Sequence, residues 1–135
     1  MRLQVEDLSY SYGEQEAAAQ VCLQVDAGEF VGLIGPNGSG KSTVLKSIYR
    51  GLTPDRGRIL LDGEDLLSMT HRKSALKLAV VGQENEVPFD FTVEEMVAMG
   101  RAPHKRLFDV DTPRDQQIVH HALEHLGMER LAGRN

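Results

Sequence analysis

The sequence is short of several things, and each shortage narrows what the chain can be. It has a single cysteine, Cys22, in 135 residues. No internal disulfide can form, so a disulfide-stapled scaffold is excluded; one thiol suits a reducing compartment. Cys22 stands in an alternating segment, where its simplest role is packing. Positive charge is not in excess: 15 Lys and Arg against 20 Asp and Glu leave a net charge of −5. A nucleic-acid partner is therefore not expected. No apolar run approaches the ~18–20 residues that cross a bilayer. The first seven residues, Met1-Arg2-Leu3-Gln4-Val5-Glu6-Asp7, are partly acidic and unlike a signal peptide, so any membrane role is expected to run through a partner. There is no repeat, low-complexity tract or obvious linker. What remains, 41% hydrophobic and 26% charged residues, is ordinary for one small domain with a core.

Against that plain background stands Gly35-Pro36-Asn37-Gly38-Ser39-Gly40-Lys41-Ser42-Thr43. It fits the phosphate-binding pattern G-x-x-x-x-G-K-[ST] at every position. Phe30 to Ile34 before it is a short apolar run that reads as a buried parallel strand, and Val44 to Tyr49 after it reads as a helix opening. A triphosphate is held by backbone N–H groups at close range, so side chains there must be small or absent, as at Gly35, Gly38 and Gly40. The helix starting near Lys41 aims unpaired N–H groups and its positive dipole end at the phosphates. Lys41 adds a full charge for the β- and γ-phosphates, and the Ser42 hydroxyl suits Mg²⁺, which takes oxygen ligands. The bland alternative, a glycine turn that happens to precede Lys-Ser, leaves the agreement of both flanks unexplained.

Elsewhere the pattern alternates strands with helices. Leu3 and Val5, then Leu8, Tyr10 and Tyr12, read as one half-buried strand; Val21, Leu23 and Val25 as a second; Arg58 to Leu61 as a third, closed by the turn Asp62-Gly63. A return segment is expected over 64–68. Leu78-Ala79-Val80-Val81 reads as another buried strand, delivering Gln83. Thr92 to Glu95 is a capping box opening a helix through Met99, and 100–109 is a polar loop. Thr112-Pro113 opens the last helix, with a stripe of Ile118, Val119, Ala122, Leu123 and Leu126. The expected class is α/β with a parallel core sheet and an antiparallel region near the N-terminus.

Tyr12 upstream of the glycine loop, the loop itself, and Gln83 after its apolar run together resemble the ATP-binding subunit of an ABC transporter. The resemblance runs the whole chain, through Leu126 to Ala132. It implies a P-loop NTPase fold, with residues 1–135 as the N-terminal part of one nucleotide-binding domain, and ATP and Mg²⁺ as ligands. It implies that Tyr12 stacks on the adenine ring, an interaction of about 1–3 kcal/mol in comparable sites. The residues around the phosphates are Gly35, Pro36, Asn37, Gly38, Ser39, Gly40, Lys41, Ser42 and Thr43. Lys41 and Gln83 have the catalytic roles, Gln83 ligating Mg²⁺ with Ser42 or positioning the attacking water. Taken alone, Tyr12 is a strand tyrosine and Gln83 a polar loop residue. The stretch from Gln83 to Arg101 resembles the part of the family that meets a polytopic membrane permease, and Met99-Gly100-Arg101-Ala102-Pro103-His104 looks like importers of iron–siderophore complexes, haem or cobalamin. Plain helix packing also accounts for its Phe and Met positions. The implied location is peripheral, on the cytoplasmic face of the plasma membrane, in a head-to-tail pair of ATPase subunits.

Two other features carry weaker chemistry. Ile59 to Asp62 mimics a strand ending in a Mg²⁺-binding Asp, but Gly63 makes it a hairpin turn. His121 and His125 have i, i+4 spacing with no third ligand evident and read as solvated flank residues. The cluster Arg101, His104, Lys105 and Arg106 reads as a solvated loop. The family's Leu-Ser-Gly-Gly-Gln signature, its later Asp–Glu strand end and its histidine do not occur in the 135 residues. The chain is therefore expected to match the N-terminal half, to leave buried-type strands unpaired when alone, and to be poorly stable and inactive in hydrolysis by itself. Alternatives are a nucleotide-binding chain without turnover, a kinase or GTPase using Asp62, and an ABC-type ATPase of DNA repair or translation.

Overall fold

A computed structural model describes residues 1–82, 90–106 and 108–134. They fall into two compact units, Met1–Val80 and Val81–Asn135.

The first unit is built on a four-stranded sheet in the order β2-β1-β3-β4, with β1 Leu3–Tyr12, β2 Gln15–Val25, β3 Arg56–Leu61 and β4 Glu64–Asp65. Every pairing is antiparallel: Leu3 lies opposite Val25 on one side and Leu61 on the other. The apolar residues of β1 change parity between Val5 and Leu8, which a straight strand of period two cannot bury on one face. The structure resolves this with a bulge. Asp7 (φ 49°) and Gln20 (φ 48°) are left-handed and the register slips between Val5 and Leu8. Both residues are then buried. Gly57 (φ 84°) faces the same bulge, and a Cβ there would sit 2.4 Å from the Glu6 carbonyl oxygen, so only glycine fits. Cys22 is exposed on β2 rather than packed, with its thiol near the Asp7 carboxylate at 3.4 Å.

The helix α1, Lys41–Ile48, lays Val44 into a core shared with Val5, Leu8, Ala18, Ile59 and Leu61. Leu66 and Met69, from the return segment after β4, close that core. The Asp62-Gly63 turn has φ of 53° and 79°, the doubly positive pair that a tight hairpin requires. A short helix α2, His71–Ala75, capped by Thr70, was not expected from the sequence. Its single turn is too short to show a 3.6-residue period.

The parallel core ladder expected at 30–34 and 78–81 is not formed among the described residues. Neither segment is a strand, and Phe30, Ile34 and Val81 are 101%, 97% and 95% exposed. The physical reason is that a parallel strand exists only when bonded to neighbours and covered on both faces. No described residue supplies that, so the apolar runs keep their pattern without their pairing.

The second unit pairs α3, Val93–Met99, with α4, Pro113–His125. Both begin with a full capping box, Thr92 with Glu95 and Thr112 with Asp115. The Val93 and Glu94 N–H groups also donate to the carbonyls of Arg134 and Ala132 at 2.8 and 3.0 Å, so the donors at the start of α3 are well provided for. Val119 and Leu123 are the buried positions of α4's stripe, whereas Ile118 and Leu126 are exposed. The apolar stripe is wider than the face that one seven-residue helix covers.

Candidate phosphate-binding site

The glycine loop runs directly into α1. Gly38 and Gly40 have φ of 83° and 85°, a left-handed conformation open to glycine at little cost. Gly40 occupies the N-cap position, and no side chain caps the helix. Its identity is also enforced from outside: a Cβ would lie 2.2 Å from the Ala17 carbonyl oxygen of β2. The start of α1 is thus pressed against the sheet while its first-turn N–H groups lack a side-chain acceptor. At the other end of the loop, a Cβ on Gly35 would lie 2.7 Å from the Ser39 hydroxyl, so the loop curls on itself. A turn bond from the Ser39 N–H to the Pro36 carbonyl at 3.2 Å closes the curl.

Lys41 fills the curl. Its ammonium donates to the carbonyl oxygens of Gly35 at 2.7 Å and Pro36 at 2.6 Å, and to the Ser39 hydroxyl at 3.3 Å. Those three contacts use all three ammonium protons. Asn37 and Gly38 are exposed at the tip. The two hydroxyls after Lys41 part company: Ser42 is exposed, whereas Thr43 is buried at 6%. Of the pair, Ser42 is the oxygen within reach of a ligand or metal at the helix start. The loop is an open curl, exposed from Gly35 to Ser39. The large concavity of this unit, about 780 Å³, lies over the bulge among Ser9, Ser11, Gln20 and Arg56.

Tyr12 ends β1 and is 51% exposed. Its ring meets that of Tyr10 edge to face, with centroids 4.9 Å apart and planes at 75°. Gln83 lies outside the described residues. Of the stretch from Gln83 to Arg101, the described part, 90–101, includes α3, whose Met96 and Met99 are exposed.

The weaker sequence features resolve in structural terms. Asp62 accepts from the Arg2 N–H at 2.8 Å and from the Lys77 ammonium at 3.3 Å. The Arg2 bond leads in holding its carboxyl below the usual range. That carboxylate is occupied in closing a hairpin. The rings of His121 and His125 meet at 4.4 Å, tilted by 59°, and among the described residues no three His, Cys, Asp or Glu converge as a metal site. The basic cluster is not simply solvated: Arg101 pairs with Asp115 at 2.9 Å, and Lys105 pairs with Asp111. The Thr112 hydroxyl, and then Arg101, hold the Asp115 carboxyl far below its ordinary range.

The ABC transporter family matches residues 18–135, a span that includes the glycine loop, most of the first unit and all of the second. The chain belongs to the ABC transporter family. Among its relatives, the ferric enterobactin transport ATP-binding protein FepC of Escherichia coli is 37% identical over 131 residues, 97% of this chain and 48% of that protein. The hemin import ATP-binding protein HmuV of Pseudomonas putida is 40% identical over 133 residues, 98% of this chain and 51% of that protein. Among solved structures, the ADP conformation of an ATP-binding cassette of an ABC transporter superposes with a TM-score of 0.80 at 25% identity, covering 99% of this chain and 57% of that one. The chain therefore has the ABC ATPase fold, and it spans about half the length of the curated relatives it matches. No helix among the described residues is long and apolar enough to cross a membrane.

Proposed function

We propose that residues 1–135 form the N-terminal part of one ABC nucleotide-binding domain that binds ATP with Mg²⁺. In the complete protein, hydrolysis would power an importer, with an iron–siderophore complex, haem or cobalamin as cargo. One observation carries the reading. A helix start without a side-chain cap is pressed against the sheet beneath a loop of glycines, with Lys41 held at its centre.

The chain's own groups divide the work. The backbone N–H groups of Gly38 and of Gly40 to Thr43 take phosphate oxygens at the positive end of α1, while the Ser39 N–H stays on the Pro36 carbonyl and holds the curl. Lys41 exchanges its carbonyl partners for the β- and γ-phosphates, keeping its ammonium paired before and after binding. Gly35, Pro36, Asn37 and Ser39 shape the curl that makes this exchange possible. Tyr12 offers its ring to the adenine. Ser42 is the hydroxyl that would hold Mg²⁺, with Gln83, and the ion would neutralise charge on the phosphates. Gln83 also has the role of orienting the attacking water.

The family match, residues 18–135, takes in most of the first unit and all of the second, which supports a single domain. The relatives' names support import as the direction and a metal chelate or haem as cargo. On this reading the region from Gln83 to Arg101 meets a polytopic membrane permease, and a second ATPase subunit pairs head to tail. The protein then sits peripherally on the cytoplasmic face of the plasma membrane. Lys41→Ala is the direct test, read as the dissociation constant for Mg·ATP. Loss of a charged hydrogen-bond donor, worth about 1.5–3 kcal/mol, should weaken binding by roughly 10- to 150-fold. Unchanged affinity would sink the site assignment.

A further inference from the structure

We propose that Tyr10 is a positioning residue for nucleotide recognition: it locks the ring of Tyr12 as a preformed platform for the base and ties that platform to the phosphate loop. The inference rests on the adenine-stacking reading of Tyr12 and adds to it a residue with no base contact of its own.

Two tyrosines two positions apart on β1 project from the same face of the strand. Tyr12 lies at the hairpin end, opposite Gln15, and is half exposed. A tyrosine in such a place has two free side-chain torsions, and binding a base to it costs the ordering of that ring. Tyr10 removes much of this cost. It is half-buried, and its ring meets Tyr12's at 4.9 Å and 75°, within the edge-to-face geometry that aromatic pairs prefer. A T-shaped contact holds a ring without stacking on it. Whichever ring presents its edge, at least one face of Tyr12 is left uncovered by Tyr10 and available to a base.

The anchor of Tyr10 lies on the other side. Its cross-strand partner is Ala18, a buried residue of the core. The neighbour of Ala18, Ala17, presents the carbonyl oxygen that abuts Gly40 at the start of α1. A short run of direct contacts therefore leads from the phosphate loop through β2 to Tyr10 and on to Tyr12. Base platform and phosphate cradle are held in one frame by that run.

The experiment compares two ligands, Mg·ATP and Mg·tripolyphosphate, on the whole chain and its variants. Tyr10→Leu keeps an apolar side chain against the strand but removes the ring. It should weaken ATP about two- to twelvefold, the span an aromatic pair supports, and leave tripolyphosphate binding unchanged. Tyr10→Phe keeps the ring and should restore ATP affinity. Tyr12→Ala should weaken ATP at least as much as Tyr10→Leu. In that background Tyr10→Leu should have no further effect, since the two act through one ring. If Tyr12→Ala lowers ATP affinity and Tyr10→Leu does not, the positioning role is wrong while the stacking reading stands. If Tyr10→Leu weakens both ligands equally, its effect is damage to the strand, and the proposal fails. If Tyr12→Ala changes nothing, the stacking reading falls and takes this inference with it.

Discussion

The start of α1 and the starts of α3 and α4 solve one problem in opposite ways. Every helix begins with N–H groups that have no partner inside the helix. At α3 and α4 the chain supplies the acceptors itself: the hydroxyls of Thr92 and Thr112 each take an N–H three residues on, and Glu95 and Asp115 reach back. Both first turns also carry acidic residues that complement the helix dipole. At α1 there is a left-handed glycine instead of a capping side chain, and the first turn holds no acidic residue. Capping residues of the Thr type contribute about 1 kcal/mol each to stability, and α1 forgoes that. A helix start that is closed is an element of the fold. One that is left open, positive and glycine-lined is equipped for an anion from outside.

The strongest way to break this comparison is Gly40→Ala. The new methyl would meet the Ala17 carbonyl at 2.2 Å and would have to adopt φ of 85°. The left-handed backbone alone costs about 1–2 kcal/mol, and the clash requires either β2 or α1 to move. We expect loss of nucleotide binding together with a drop in thermal stability, followed by circular dichroism. A variant that keeps both would show that the start of α1 is not pinned against β2.

Thr112→Ala comes next. It removes the α4 cap and also a hydrogen bond at 2.6 Å that holds Asp115 in place for Arg101. A loss near the upper part of the ~0.5–2 kcal/mol range for caps is expected, seen as faster amide exchange in α4, with nucleotide affinity unchanged. Thr92→Ala should cost less. The start of α3 keeps the carbonyls of Ala132 and Arg134 as acceptors, and the exposed Glu95 is held by Thr92 rather than by a cation among the described residues. Equal effects from the two substitutions would mean that the Arg101–Asp115 pair adds nothing to α4.

The difference between these helix starts is also why some of the molecule was legible in the sequence and some was not. The glycine loop, the Thr92–Glu95 box and the Asp62-Gly63 turn are written in residues whose chemistry acts within a few positions of themselves. They sit where the sequence places them. Thr112 and Pro113 mark the start of α4 in the sequence, but Asp115 is a less legible capping partner, because aspartate at that position is a shorter form of the box's usual Glu or Gln. Its pairing with Arg101 spans a loop and has no local signal. The bulge at Asp7, Gln20 and Gly57 did leave a trace, the parity change between Val5 and Leu8, which an unbroken strand cannot explain. Tyr10 likewise had a trace in its two-residue spacing from Tyr12. The apolar runs at 30–34 and 78–81 show the converse. Their pattern reports that they suit a buried strand, but pairing depends on neighbours distant in sequence, which an apolar run does not name.

Acid provides the finest test, because it acts on the closed starts and has no carboxylate to act on at the first turn of the open one. In the folded chain the carboxyls of Asp115 and Glu95 are both held below their ordinary values. Thr112 and Arg101 are the main causes for Asp115, and the Thr92 backbone N–H leads for Glu95. A group whose folded value is depressed binds fewer protons folded than unfolded, so it favours the folded state at neutral pH. That contribution is fully present above the ordinary values of 3.8 for Asp115 and 4.5 for Glu95. It is lost as the pH falls below them, and Asp115, held further down, gives it up last. Amide exchange in α3 and α4, followed by mass spectrometry between about pH 5 and pH 2, should show α3 loosening at a higher pH than α4. Asp115→Asn should remove the acid dependence of the α4 start while lowering its protection at neutral pH. Asp62, whose carboxyl is also depressed by Arg2 and Lys77, makes the hairpin of the first unit acid-sensitive in the same direction. The exchange of α1's own first-turn amides is therefore the internal control. If they respond to acid as strongly as those of α4, the helix starts do not differ in the way their carboxylates indicate.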